Sequence, residues 1–157
     1  MNISDLLAPE AVVAGLRVQS KKQLLQEVAE RLAAVTRLPE RRIFETLVER
    51  ERLGTTGVGQ GVAIPHGRMP ELKRIGGLFI RLDSPIDYSS VDGEPVDLVF
   101  ALLAPEGAGA DHLKALARVS RLLRNQSACE KLRAAQSAGA IFAILTEPTA
   151  GTGAQAA

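Results

Sequence analysis

Two histidines and one arginine are the residues of this sequence best suited to chemistry on a phosphate group. His66 stands between Pro65 and Gly67, at the end of a glycine-rich stretch over residues 57–68. Because proline has no N–H to donate to a sheet and glycine has no Cβ, this framing predicts an imidazole open to another molecule. A neutral imidazole is a nucleophile near pH 7, so an exposed ring could carry a phosphoryl group. Composition alone favours an ordinary turn histidine, whereas the Pro/Gly framing favours the functional interpretation.

His112 and Arg50 are the candidates for stabilising such a group. His112 falls in the first turn of a predicted helix, where partial positive charge and free N–H groups favour an anion. If His112 meets His66, a phosphoryl group between them has donors on several sides. Arg50 can add a fixed charge, because a guanidinium matches phosphate geometry. The alternatives, a core histidine at 112 and an exposed helix-end cation at 50, remain open on spacing alone.

The elements that must position these residues alternate between strand and helix, which predicts an α/β domain with helices on both faces of a sheet. Ser20 and Asp111 are predicted N-caps, Gly54 is predicted to end the second helix, and the last helix break is predicted near Gly139. His66 is predicted at the C-terminal end of a short strand. Predicted strands cover residues 12–18, 62–64, 75–82 and 96–104, and predicted helices cover about 21–35, 39–53, 112–125, 127–136 and 138–145.

Composition and charge exclude several functional classes. A chain of 157 residues with net charge +1 is expected to form one domain and implies neither nucleic acid nor an acidic membrane as a partner. No apolar run is long enough for membrane insertion. The single Cys129 precludes an internal disulfide, and the first residues lack a basic signal-peptide region, so we expect a cytoplasmic protein. Lys114, Arg118 and Arg121 share a helix face that we interpret as solvated rather than as a docking patch.

Other chemical motifs are incomplete. The three alternate glycines at 57, 59 and 61 precede a predicted strand rather than a helix, which excludes a dinucleotide fingerprint. No P-loop lysine and no Gly-x-Ser-x-Gly elbow is present. A zinc site would need His66 and His112 to converge with Cys129 or a carboxylate, without any close ligand spacing. The sequence therefore predicts no metal and no cofactor.

Three motifs together resemble one family. Arg50-Glu51, the block Thr55-Thr-Gly-x-Gly-x-Gly-Val-Ala-Ile-Pro-His-Gly67, and His112-Leu-x-x-Leu116 are similar to the type-2 IIA domain of the bacterial phosphotransferase system, which has mannitol, fructose and nitrogen-regulatory branches. The resemblance covers residues 3–146 and leaves 147–157 as a predicted disordered C-terminal tail. It implies a single α/β domain whose mixed β-sheet is flanked by helices on both faces.

The resemblance also implies an activity. His66 would accept a phosphoryl group from an HPr-like phosphocarrier protein on the ring nitrogen remote from the backbone, with His112 and Arg50 assisting. Gln60 stands where mannitol-type relatives tend to carry an acidic residue, which favours the nitrogen-regulatory branch, whose members regulate partner proteins by their phosphorylation state. The alternatives are a fructose- or mannitol-type component that passes the phosphoryl group to a IIB domain, and a non-catalytic regulatory binding module.

Overall fold

The computed structural model describes residues 1–147, and in this part of the chain one mixed sheet of six strands packs with five α-helices. The strands are β1 (Val12–Leu16), β2 (Gly57–Gly59), β3 (Val62–Ala63), β4 (His66–Met69), β5 (Gly76–Ile86) and β6 (Val96–Pro105). The helices are α1 (Lys21–Thr36), α2 (Glu40–Arg52), α3 (Gly109–Leu123), α4 (Gln126–Ala134) and α5 (Ala138–Leu145).

The sheet is built around β6. On one edge β6 pairs antiparallel with β5, which pairs parallel with β1. On the other edge β3 and β4 pair parallel with β6 in succession, with Ala63 opposite Val99 and His66 opposite Leu102. β2 pairs antiparallel with β3. The two short strands β3 and β4 therefore follow one edge of β6, separated only by residues 64 and 65.

Helices cover both faces of this sheet. Gly76 and Gly77 are neighbours in β5, so their Cβ positions point to opposite faces. A Cβ on Gly76 would point at Thr36, at the end of α1, whereas a Cβ on Gly77 would meet the carbonyl of Leu6, beside an N-terminal 3₁₀ turn that packs on α3. α1 and α2 form one layer, and α3, α4 and α5 form the other. This confirms the predicted α/β architecture.

The core follows from apolar patterning. Residues 98–104 of β6 are fully buried, as expected for a strand covered on both faces. In α1 the buried side chains recur at helical spacing, at Leu24, Leu25, Val28 and Leu32. Ser20 accepts a hydrogen bond from the Gln23 N–H at 3.1 Å, so the predicted N-cap of α1 is confirmed.

One predicted helix start is wrong and another is confirmed. α3 begins at Gly109 after Ala108, so Asp111 lies inside its first turn and is not the N-cap. The predicted last helix, 138–145, is confirmed as α5, which begins at Ala138 because the Ser137 hydroxyl accepts from the Ala140 N–H. α3 starts before Asp111 because the His112 N–H already donates to the Ala108 carbonyl at 2.7 Å.

Two further sequence predictions concern the basic residues of α3 and the C-terminal tail. Lys114 and Arg121 are exposed as predicted for a solvated face, but Arg118 is half-buried and donates to the Met1 carbonyl at 3.0 Å, which fastens the N-terminus to α3. The predicted tail at 147–157 lies, apart from Glu147, outside the described residues.

Candidate functional site

His66 is the first residue of β4, not the last residue of the preceding strand as the sequence predicts. The apolar run of β3 stops at Ile64, Pro65 interrupts the ladder, and pairing with β6 resumes at His66. The structure also gives Gly67 a role other than the one predicted from the sequence. A Cβ there would lie 2.5 Å from Cγ2 of Thr46, so the glycine lets α2 pack against β4 rather than opening the backbone to another molecule.

One hydrogen bond fixes the state of the His66 ring. Nδ1 lies 2.8 Å from the carbonyl oxygen of Ile64. A carbonyl can only accept, so Nδ1 carries the proton and Nε2 keeps its lone pair. Burial lowers the pKa of His66 and the charge of Arg50 lowers it further, against opposing effects of the Ile64 carbonyl and Glu51. The ring is therefore neutral at pH 7.

His112 lies beside His66. Its side chain is 4 % exposed, and the two ring centroids are 5.6 Å apart with their planes at 50°. Burial, followed by the nearby His66 and Arg68, lowers the pKa of His112 to about 4. Its Nδ1 is buried without a hydrogen-bond partner among residues 1–147. His112 thus brings a second neutral imidazole with unused hydrogen-bonding capacity to the same place.

Arg50 lies in the last turn of α2 and is half-buried. One guanidinium nitrogen, Nη1, donates to the carbonyl of Gly54 at 2.9 Å, just past the helix end. A guanidinium has five N–H donors in a fixed plane, so this bond orients the group and leaves others for an anion. Arg50 is therefore both an anchor of the α2 terminus and an oriented cation.

His66, His112 and Arg50 line one open groove with a volume of about 770 Å³, together with Arg52, Arg68, Leu113 and neighbouring side chains. We call it the histidine groove. The sequence proposes these three residues for one site, and the structure brings all three into this groove.

Sequence reasoning missed Arg68. It follows His66 by two residues in β4, and because side chains alternate along a strand, both lie on the same side. Arg68 is exposed and lines the groove. A two-residue step from His66 is the signal that could have found it. With Arg50 and Arg52 it outweighs the single acidic lining residue, Glu49, and makes the groove suited to an anion.

Within residues 1–147 no three histidine, cysteine, aspartate or glutamate side chains come together as a metal-ligand set. The two histidines meet without a third ligand of that kind. The described helices include none with the length and apolar character required to cross a bilayer.

The chain is similar to proteins of one family over nearly its whole length. The family described as "Phosphoenolpyruvate-dependent sugar phosphotransferase system, EIIA 2" matches residues 5–147. A nitrogen regulatory protein of Bradyrhizobium diazoefficiens is 62% identical over 150 residues, covering 96% of this chain and 98% of that protein. The corresponding protein of Escherichia coli K12 is 39% identical over 153 residues, covering 97% and 93% of the two chains.

Solved structures agree with this likeness. The crystal structure of nitrogen regulatory protein IIA-Ntr from Neisseria meningitidis matches with a TM-score of 0.88 and 41% identity, covering 92% of this chain and 99% of that one. The mannitol IIA of Escherichia coli, at 18% identity and a TM-score of 0.75 over 88% of this chain and 97% of its own, shares the fold. On the extent of the family match and the identity to its nitrogen-regulatory members, the chain belongs to the EIIA type 2 family of the phosphoenolpyruvate-dependent phosphotransferase system.

Proposed function

We propose that this protein is a nitrogen-regulatory IIA component that accepts a phosphoryl group on Nε2 of His66 from an HPr-like phosphocarrier. Its phosphorylation state then regulates partner proteins. Domains of this family carry phosphoryl groups, and the 62% identity to a nitrogen regulatory protein supports the regulatory branch. A protein of this kind works with cytoplasmic carriers, so we place it in the cytoplasm.

The observation that carries the proposal is the hydrogen bond from His66 Nδ1 to the Ile64 carbonyl. It holds the proton on one nitrogen and leaves the other as a nucleophile. An imidazole that kept its proton on Nε2 would have no lone pair there for phosphorus. The neutral state that this tautomer needs is supported by the lowered pKa of His66.

The transfer step balances without a cofactor or metal. The Nε2 lone pair of His66 forms a bond to phosphorus, in line with the breaking P–N bond of the carrier's phosphohistidine. The carrier imidazole leaves with that electron pair. The proton on His66 Nδ1 stays in its bond to Ile64. Phosphoryl transfer depends chiefly on positioning and on charge stabilisation, which are what a rigid imidazole and flanking cations provide.

His112 and Arg50 are proposed to stabilise the transferred group. The His112 ring is 5.6 Å from the His66 ring, a separation that leaves room for phosphoryl oxygens near both. Arg50 has donors beyond the one used on Gly54. Arg68 adds a second guanidinium at the exposed side of the groove. These groups would stabilise the negative charge on the equatorial oxygens.

The experiment is a mass measurement on purified protein incubated with phosphoenolpyruvate and the general phosphotransferase proteins. We expect the wild type to gain the mass of one phosphoryl group and His66→Ala to gain none. A mass gain that persists in His66→Ala would refute the assignment of His66. No gain in the wild type would favour the non-catalytic binding module.

The sugar-transport alternative differs in partner rather than in site. A complex of mannitol IIA with phosphorylated mannitol IIB is known for the Escherichia coli proteins. A fructose-specific EIIABC component of Bacillus subtilis is 33% identical to this chain, which covers 23% of that protein. Adding a purified fructose-type IIB domain to the phosphorylated protein separates the two readings. We expect the phosphoryl group to stay on His66, and its rapid passage to IIB would favour the transport role.

A further inference from the structure

We propose that a largely buried cluster of Lys21, Glu51, Thr56 and Tyr88 is a positioning device that holds the phosphoryl-accepting imidazole of His66 in its reactive tautomer. We call it the Glu51 cluster. This inference rests on the proposed function, because it assigns residues that serve the same transfer step. None of the four touches the reacting nitrogen, so they are positioning residues.

Glu51 is the centre of the cluster. Its side chain is 6 % exposed and forms an ion pair with Lys21 at 2.6 Å. Its carboxylate also accepts from the backbone N–H of Thr56 at 3.0 and 3.1 Å and from the Thr56 hydroxyl. The hydroxyl of Tyr88, a fully buried residue, lies 3.0 Å from the Thr56 hydroxyl and 3.3 Å from Glu51. Lys21 lies 4.5 Å from the centre of the Tyr88 ring.

These partners keep a buried carboxylate ionised. Burial raises the pKa of Glu51, but the bonds to Lys21 and to both donors of Thr56 lower it more, so the net direction is down. A buried charge that is paired and fully hydrogen-bonded holds its neighbours in one geometry, because any displacement leaves it unsatisfied. Glu51 therefore fixes the position of Thr56.

Two further hydrogen bonds connect Thr56 to His66. The Thr56 carbonyl accepts from the Ile64 N–H at 2.9 Å. The Ile64 carbonyl then accepts from His66 Nδ1 at 2.8 Å. Only Pro65 separates these residues in the chain, and its ring fixes φ, so few torsions remain free between the Ile64 carbonyl and the His66 side chain. The position of Thr56 thus sets where the Ile64 carbonyl lies, and that carbonyl holds the Nδ1 proton of His66.

The cluster also places the two sides of the groove relative to one another. Glu51 follows Arg50 in the last turn of α2, and Arg50 is itself bonded to Gly54 in the loop that leads to Thr56. The guanidinium of Arg50 and the imidazole of His66 are therefore both positioned by the C-terminal end of α2. Displacement of a reacting group by about 1 Å can slow a reaction by roughly 100-fold, so this shared anchoring matters for transfer.

The test combines a tautomer measurement with a transfer rate. The variants are Glu51→Gln, which removes the charge at constant shape, and Tyr88→Phe, which removes one hydroxyl. Glu27→Gln is the matched control, since Glu27 also pairs with a cation, Arg31, but does not line the histidine groove. The ¹⁵N shifts of the His66 ring report the tautomer in the unphosphorylated protein, and thermal unfolding reports the fold.

We expect wild type and Glu27→Gln to show the Nδ1–H tautomer of His66 and equal phosphorylation rates. Glu51→Gln should show mixed tautomers and phosphorylation slower by about tenfold or more, with Tyr88→Phe changed in the same direction by less. Thr56→Ser, which keeps the hydroxyl and the N–H, should behave as wild type, whereas Thr56→Val should resemble Tyr88→Phe.

The outcomes separate this proposal from the proposed function. If Glu51→Gln folds and keeps the wild-type tautomer and rate, the positioning role is refuted while phosphorylation of His66 stands. If Glu51→Gln does not fold, Tyr88→Phe and Thr56→Val decide the matter by the same two readouts. If the wild type gains no phosphoryl group, the proposed function fails, and the tautomer measurement still decides whether the cluster holds the ring.

Discussion

At the scale of single residues, the two imidazoles of the groove differ in what holds them. His66 is fixed by a hydrogen bond from its own Nδ1 to a carbonyl two residues earlier in the chain. His112 is fixed by burial in α3 and keeps a ring nitrogen without a partner among residues 1–147. The first arrangement suits a nucleophile with a defined lone pair. The second holds the imidazole through packing in α3 instead.

The protonation of His66 gives the first prediction. Because burial and Arg50 lower its pKa, we expect an NMR titration midpoint below 6.5, and a phosphorylation rate that falls as pH drops through that midpoint. Replacing Arg50 with Gln removes one lowering charge, so the midpoint should rise. Arg124→Gln, an exposed arginine that does not line the groove, is the control and should leave it unchanged. A wild-type midpoint at or above 6.5 would contradict the structure.

His112 gives a prediction about stability. Its pKa is about 4 in the folded protein and about 6.5 when unfolded, so the unfolded state binds more protons between these values. The free energy of unfolding therefore has its full His112 contribution above pH 6.5 and loses it as pH falls towards 4, by on the order of 2 kcal/mol. Urea titrations of wild type and His112→Gln at pH 7.5 and 5 measure this. If the free energy of unfolding has the same pH dependence in the two proteins, the lowered pKa of His112 is refuted.

At the scale of elements, α2 packs against β4 at Thr46 and Gly67, which both line the histidine groove. Gly67→Ala places a methyl group 2.5 Å from Cγ2 of Thr46, closer than packed atoms tolerate. We expect a loss of about 1–3 kcal/mol in the free energy of unfolding. Thr46→Ser deletes that Cγ2 while keeping the hydroxyl that donates to the Arg42 carbonyl, so it should recover much of the loss in the double variant. Additive effects of the two changes, measured by denaturant unfolding, would mean that the contact is not the cause.

Much of this element pattern could be predicted from the sequence, whereas a strand boundary that is set by pairing with a distant strand could not. β6 and α1 were predictable because a continuous apolar run and a capped helical stripe each have one interpretation. The strand boundary at His66 was not, because β4 has no apolar pattern of its own and is defined by pairing with a distant strand. His66, His112 and Arg50 could be identified from the sequence because their residue types stand in recognisable motifs. Identifying Arg68 required the register of β4, and the proposed role of Glu51 required the contacts of Thr56.

At the scale of the whole molecule, the proposed phosphorylation would change the charge that a partner meets at the histidine groove. The net charge of the chain is +1, and a phosphoryl group adds nearly two negative charges at pH 7. The proposed phosphorylation of His66 would therefore reverse the sign of the net charge of the chain and would place the added charge in the groove lined by Arg50, Arg52 and Arg68. A partner that contacts this groove would meet a positive surface before transfer and a largely neutralised one afterwards. Electrostatic discrimination between the two forms follows from position alone.

The last prediction concerns this electrostatic attraction. A phosphorylated carrier brings negative charge to a positive groove, so transfer should slow by several-fold as ionic strength rises from about 0.02 to 0.3 M, because salt screens exposed charges. Arg68→Gln removes an exposed groove cation and should lower the rate at low salt and flatten its salt dependence. Arg124→Gln removes the same charge away from the groove and should keep the wild-type slope. Stopped-flow or quenched transfer from the phosphorylated carrier measures both. If the two variants respond alike, net charge rather than the local charge of the groove guides the carrier, and Arg68 has no special part in the encounter.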